Sequence, residues 1–149
     1  MDRLLGVDFG SVRIGLAVSD PERRIGSPLK TYERRGTEQD ADFFRNLIKQ
    51  EEIAQIVVGL PVHLDGREGE KAKEARDFGQ WLANIAGLPV IFWDERFTTV
   101  EAEAHLLGAG LSRKRRRDRR DRVAAQILLQ TYLNAGCPTQ APNLGPLDE

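Results

Sequence analysis

The hydrophobic pattern of this chain changes period repeatedly, and each change marks an element. Short apolar blocks from Arg3 to Phe9 and from Arg13 to Ser19, with Gly10-Ser11 between them, predict two strands joined as a hairpin. Ser27 to Tyr32 predicts a weaker third strand. From Thr37 to Glu51 the spacing lengthens. Ala41, Phe44, Leu47 and Ile48 recur every three or four residues, as on one face of an amphipathic helix. Gln55 to Leu60 is a short β-branched run of the kind found in strands covered on both faces, and Pro61 ends it. Turn residues fill 62–69. Helical spacing returns from Glu70 to Ile85 through Ala75, Phe78, Trp81, Leu82 and Ile85, with Gly87 placed as the C-cap. Pro89 to Trp93 predicts a second covered strand. Two more helices are expected. One runs from Thr98 to Leu107, where Thr98 and Glu101 are spaced as a capping box; the other runs from Asp118 to Ala135.

This order implies an α/β fold whose sheet mixes an N-terminal antiparallel hairpin with later parallel strands. At 149 residues the chain has room for one domain and one core, taken here as residues 1–135. Residues 136–149 carry Pro138, Pro142 and Pro146 and read as a loose tail. No internal repeat is visible. No apolar run approaches the roughly 20 residues of a membrane helix, and the start shows no signal-peptide pattern. Cys137 is the one cysteine, so no internal disulfide and no cysteine metal cluster can form. A cytoplasmic protein is expected.

Charge changes the picture through its distribution. The net charge is −1, yet the window from Arg113 to Arg122 holds eight basic residues and two acids, a local charge of +6 on a remainder of −7. A concentrated basic block on an acidic body is an electrostatic footprint for a polyanion.

Three acidic segments supply the candidate chemistry. Asp8 lies near the end of the first apolar strand, where Asp is disfavoured and an unpaired carboxylate is costly. Asp94-Glu95 follow directly on the strand ending at Trp93. Asp121 opens the last helix on the side of Ala124, Ala125 and Leu128, with Asp118 one turn earlier on the same side. Each acid alone also fits a structural role: a strand-end Asp, an exposed Asp-Glu-Arg turn, a helix-start acid. Their conjunction is what carries the functional reading. Sites in open α/β sheets gather at strand carboxyl ends, and a carboxylate cluster there needs hard divalent cations such as Mg²⁺ or Mn²⁺. Two such ions support in-line phosphodiester hydrolysis. A basic segment beside Asp121 would hold the phosphate backbone.

The same residues resemble the YqgF (RuvX-like) family, to which Holliday-junction resolution and pre-16S rRNA cleavage have both been ascribed. Asp8-Phe9-Gly10-Ser11 with Arg13-Ile14-Gly15-Leu16-Ala17 is similar to its N-terminal signature, and Val58-Gly59-Leu60-Pro61 followed by Asp65-Gly66 to its central motif. Asp94-Glu95-Arg96-Phe97-Thr98-Thr99 resembles the third motif, and Asp121 with Ala124-Ala125 and Ile127-Leu128-Leu129 the last. The resemblance implies a ribonuclease H-like fold. It implies Asp8, Glu95 and Asp121 as catalytic, metal-holding acids, with Asp94 as a further candidate; Asp118, one turn before Asp121, is an extra candidate from a pattern of related resolvases and not a hallmark of this family. Glu95 is preferred to Asp94 for its longer arm. Candidate nucleic-acid contacts are Arg13, Arg96, Arg113, Lys114, Arg115, Arg116, Arg117 and Arg120. The implied activity is metal-dependent hydrolysis in 5′-end processing of pre-16S rRNA, with branched DNA as the alternative substrate. Two rival classes remain: a nuclease-like module that binds RNA without cutting, and an actin-like ATPase, for which 149 residues are too few.

Overall fold

The computed structural model describes residues 2–97 and 112–139. Its five-stranded sheet has the order β3-β2-β1-β4-β5. β1 (Arg3–Asp8), β2 (Arg13–Ser19) and β3 (Gly26–Glu33) form an antiparallel meander, whereas β4 (Ile53–Leu60) and β5 (Val90–Asp94) run parallel to β1. α1 (Thr37–Gln50) leads into β4, and α2 (Glu70–Ala86) leads into β5. A single 3-10 turn, Glu95–Phe97, follows β5, and α3 (Arg113–Asn134) closes the described chain. The helix expected at Thr98 to Leu107 lies outside the described residues.

Strand alternation sorts the core into two layers. Leu5, Val7, Ile14, Leu16, Ile56 and Val58 face α1 and α2, where they meet Phe44, Leu47, Phe78 and Leu82. Leu4, Ala17, Val57 and Trp93 face α3 and meet Ala125, Leu128, Leu129 and Tyr132. Parity therefore puts Asp8 on the face of Leu4 and Gly6, the face that α3 covers. Gly15 and Arg13 share that face with Ala17, and Gly59 shares it with Val57.

α3 begins at Arg113, five residues before the expected Asp118, and Asp121 sits in its third turn. Residues 113–122 contain no apolar side chain, so no hydrophobic period marks this stretch as helical. Arg and Lys are nonetheless good helix formers, and Ser112 caps the start by accepting the Arg115 backbone N–H at 3.2 Å. The proposed tail is also packed at its beginning. Cys137 lies against the α3 layer, and the Tyr132 hydroxyl donates to the Pro138 carbonyl.

Candidate active site

The carboxyl ends of the parallel strands β1, β4 and β5 open into one cleft of about 470 Å³. Asp8 ends β1, Pro61 follows β4, and Glu95 follows β5; all three line it. Asp121 enters from α3 across the sheet, and Arg13, Lys71 and Glu74 complete the polar wall.

Glycines make this convergence possible. A Cβ at Gly15 would run into the backbone carbonyl of Asp121, so the glycine lets α3 approach β2 at the turn that carries the acid. Gly6 has the same relation to Leu129 and the Ala125 carbonyl. Gly59 leaves the space that the Glu95 side chain occupies. All three lie inside predicted strands, where an isolated glycine marks close approach; that signal was available in the sequence, but its partner was not.

Asp8 and Glu95 lie close enough to share a hydrogen bond. Burial pushes the Glu95 carboxyl up, and the nearby charge of Asp94 adds to the rise; the Asp8 hydrogen bond and Lys71 oppose it. Asp121 is held differently: Arg13 Nε donates to its Oδ2 at 2.9 Å, with the two side chains about a quarter exposed, 26% for Arg13 and 20% for Asp121. The structure thus assembles a carboxyl pair with a third carboxylate across the cleft on an arginine. Among the described residues, no three carboxylate, histidine or cysteine side chains form a ready-made metal cage. The donor set still fits a hard divalent cation. It is all oxygen, and a crowded carboxyl pair is relieved by positive charge.

Several expected residues are engaged elsewhere. Asp94 turns away from the cleft onto Arg96, which donates from Nε to Oδ2 and from its backbone N–H to Oδ1, both at 2.8 Å. Arg96 Nη1 also reaches the Leu64 carbonyl at 3.2 Å. With side chains 5% and 13% exposed, Arg96 and Asp94 form a clamp that holds the turn carrying Glu95. The Arg96 guanidinium is thus engaged by Asp94 and Leu64, and Glu95 rather than Asp94 lines the cleft. Asp118 lines a separate cleft on the β3 side, with Lys30 and Phe43, and its carbonyl accepts from the Thr31 hydroxyl. Arg13 points into the acidic cleft as the partner of Asp121. Arg113, Lys114, Arg115, Arg116, Arg117 and Arg120 are exposed on the first turns of α3, leading up to Asp121. Lys71 and Glu74 of α2 were not anticipated; they fall on the polar side of a helix whose apolar face alone was legible.

Comparison with known proteins bears on this arrangement. A family model described as "RuvX: Holliday junction resolvase" matches residues 2–135. A protein of Rhodopirellula baltica named "Putative pre-16S rRNA nuclease" is 48% identical over 133 residues, covering 89% of this chain and 77% of its own. One of the same name from Halothermothrix orenii is 42% identical, covering 89% of this chain and 94% of its own. Among solved structures, RuvC of Thermus thermophilus in complex with a Holliday junction substrate superposes with a TM-score of 0.55 at 14% identity, covering 93% of this chain and 98% of its own. That likeness establishes a shared ribonuclease H-like fold.

Proposed function

The chain belongs to the RuvX family, and on that premise we propose that it is a nuclease that hydrolyses phosphodiester bonds with Mg²⁺ or Mn²⁺ in 5′-end processing of pre-16S rRNA. The observation that carries this reading is the meeting of Asp8 and Glu95 at the strand ends, with Asp121 across the same cleft. The residues that would hold the cation are Asp8, Glu95 and Asp121. A divalent ion bound there supplies a water of lowered pKa and charge stabilisation for the leaving oxygen. Arg13 neutralises Asp121 and offers the cleft's nearest guanidinium to a phosphate. Lys71 adds a point charge on the opposite wall. The clamp of Arg96 holds the Asp94 carboxylate out of the cleft lining, so of the neighbouring pair Glu95 alone reaches inward. The exposed cations of Arg113 to Arg117 extend the positive path along α3 for the flanking backbone.

RNA is favoured over branched DNA by the curated relatives, which carry the pre-16S rRNA name at 40–48% identity. The junction reading draws on the family description and on the RuvC fold. A panel with Mn²⁺, containing a precursor 16S leader, unstructured RNA and a four-way DNA junction, decides between them. The leader is expected to be cut and the junction left intact. Asp8→Asn is expected to lower the cleavage rate by about 100-fold or more, roughly 3 kcal/mol of barrier, with an unchanged circular dichroism spectrum. Equal cleavage by Asp8→Asn would remove the carboxyl pair from the chemistry.

A further inference from the structure

A second cleft, of about 420 Å³, adjoins the acidic one and is built differently. On α2, Glu74, Asp77, Phe78 and Trp81 fall at i, i+3, i+4 and i+7, one stripe of the helix, and all four line this cleft. Phe9, from the turn after β1, faces them with its ring centroid 4.7 Å from that of Phe78. Phe78 in turn lies 5.4 Å from Trp81. The Arg34 guanidinium spans Phe9 and Phe78, at 5.3 and 5.7 Å from the two rings. Asp40 accepts from Arg34 Nε at 3.3 Å and anchors it there. Phe9, Ser11 and Glu74 line both clefts, so the Phe9–Ser11 turn is a ridge between the carboxyl cleft and one that joins aromatic rings to Glu74 and Asp77.

We infer that this aromatic cleft receives an unpaired guanine of the substrate strand, next to the phosphate held over Asp8 and Glu95. The inference rests on the nuclease reading for the position of that phosphate. Aromatic walls stack any base that has left its helix, and such a base is available in single strands, loops and ends. The polar groups then choose among bases. Guanine presents N1–H and N2–H side by side, a match for one carboxylate, with O6 as an acceptor beside them. Asp77 and Glu74 accept, and Arg34 donates. Adenine places the acceptor N1 where guanine has a donor, so a carboxylate repels it. Uracil has a single ring N–H between two carbonyls, and cytosine a single amino donor beside an acceptor. An acidic wall near a phosphate backbone would be a liability without such donors to meet it.

Trp81 reports the event directly. The chain has two tryptophans, and the other, Trp93, is buried under α3, so the difference between wild type and Trp81→Phe isolates the signal of Trp81. The probes are uridine pentamers, either all-uridine or carrying one guanine, inosine, adenine or abasic site, titrated in EDTA so that no cleavage occurs. The guanine pentamer is expected to quench Trp81 emission and to bind about tenfold tighter than the inosine and adenine pentamers. Asp77→Asn, which lies outside the acidic cleft, is expected to bring that preference close to unity while leaving the all-uridine chain unaffected. Equal affinity for all pentamers, or binding by anisotropy without a change at Trp81, overturns the inference and leaves the nuclease reading standing. A guanine preference without metal-dependent cleavage of any substrate keeps the pocket and overturns the nuclease reading.

Discussion

A methyl group added at Gly59 would sit 2.6 Å from Glu95 Oε1, 3.1 Å from its Cγ and 2.9 Å from Leu128 Cδ2. The Glu95 carboxyl and the Leu128 methyl are both far ends of side chains and can shift, so Gly59→Ala is expected to fold with a loss of about 1–3 kcal/mol. Its activity is expected to fall much further than its stability, because Glu95 must leave the place beside Asp8; thermal melts paired with cleavage rates check the difference. Gly15→Ala meets the Asp121 backbone instead, which cannot yield without moving α3, and the same pair of measurements should show fold and activity lost together. Asp40 is a residue-scale case of another kind. It is 1% exposed, and it accepts from the Tyr32 hydroxyl at 2.6 Å and the Arg35 backbone N–H at 3.0 Å. Burial alone would raise its carboxyl, but the Tyr32, Arg35 and Arg34 hydrogen bonds outweigh it and hold the group below its ordinary value of 3.8. A depressed folded value means stability present above about pH 4 and lost as pH falls through it. Asp40→Asn is expected to lower stability at neutral pH by about 1–3 kcal/mol and to flatten the acid limb of the stability profile, read by urea melts from pH 2.5 to 7. On the alkaline side, burial pushes Tyr32 up to about 12, and the Asp40 hydrogen bond and charge add to the rise.

At the scale of the element, α3 opens against its own dipole. Arg113, Lys114 and Arg115 occupy the first turn, where the helix end is already positive, and no acid lies there. Each costs a few tenths of a kcal/mol to about 1 kcal/mol at low salt. Arg113→Glu with Lys114→Glu is therefore expected to raise the melting temperature and to weaken nucleic-acid binding in the same protein. A lowered melting temperature would mean that these cations make stabilising contacts within the fold. The helix tolerates the start because its second half is anchored. Trp93 Nε1 donates to Thr131 Oγ1 at 2.9 Å, and Gln55 Nε2 donates to the Tyr132 hydroxyl at 3.1 Å. α2 shows the complementary economy: its apolar face packs on the sheet through Ala75, Phe78 and Leu82, while Glu74 borders both clefts and Asp77 and Trp81 border the aromatic one.

At the scale of the whole molecule, the +6 window runs along the exposed start of α3 up to Asp121, which lines the cleft with Asp8 and Glu95. Replacing Arg115, Arg116 and Arg117 by Gln is expected to reduce the slope of log affinity against log salt by roughly one unit for each phosphate left without its cation. An unchanged slope would place the block away from the substrate. The single domain of residues 1–135 and the tail read from its prolines remain an expectation, on which only the contacts of Cys137 and Pro138 bear. The sequence by itself determined the types and order of the elements among the described residues, since hydrophobic period is a property of near neighbours. It also determined that Asp8 shares a strand face with Leu4 and Gly6, because side chains alternate. It carried the acids, the basic block and the family motifs. The tertiary structure decided which acid of the Asp94-Glu95 pair turns inward, that Asp121 rests on Arg13, that Gly15 and Gly59 make room for the site, and that α2 walls a second cleft beside it. These depend on which side chains meet across the fold: Arg13 and Asp121 stand 108 residues apart in the chain, and no local periodicity encodes that partner.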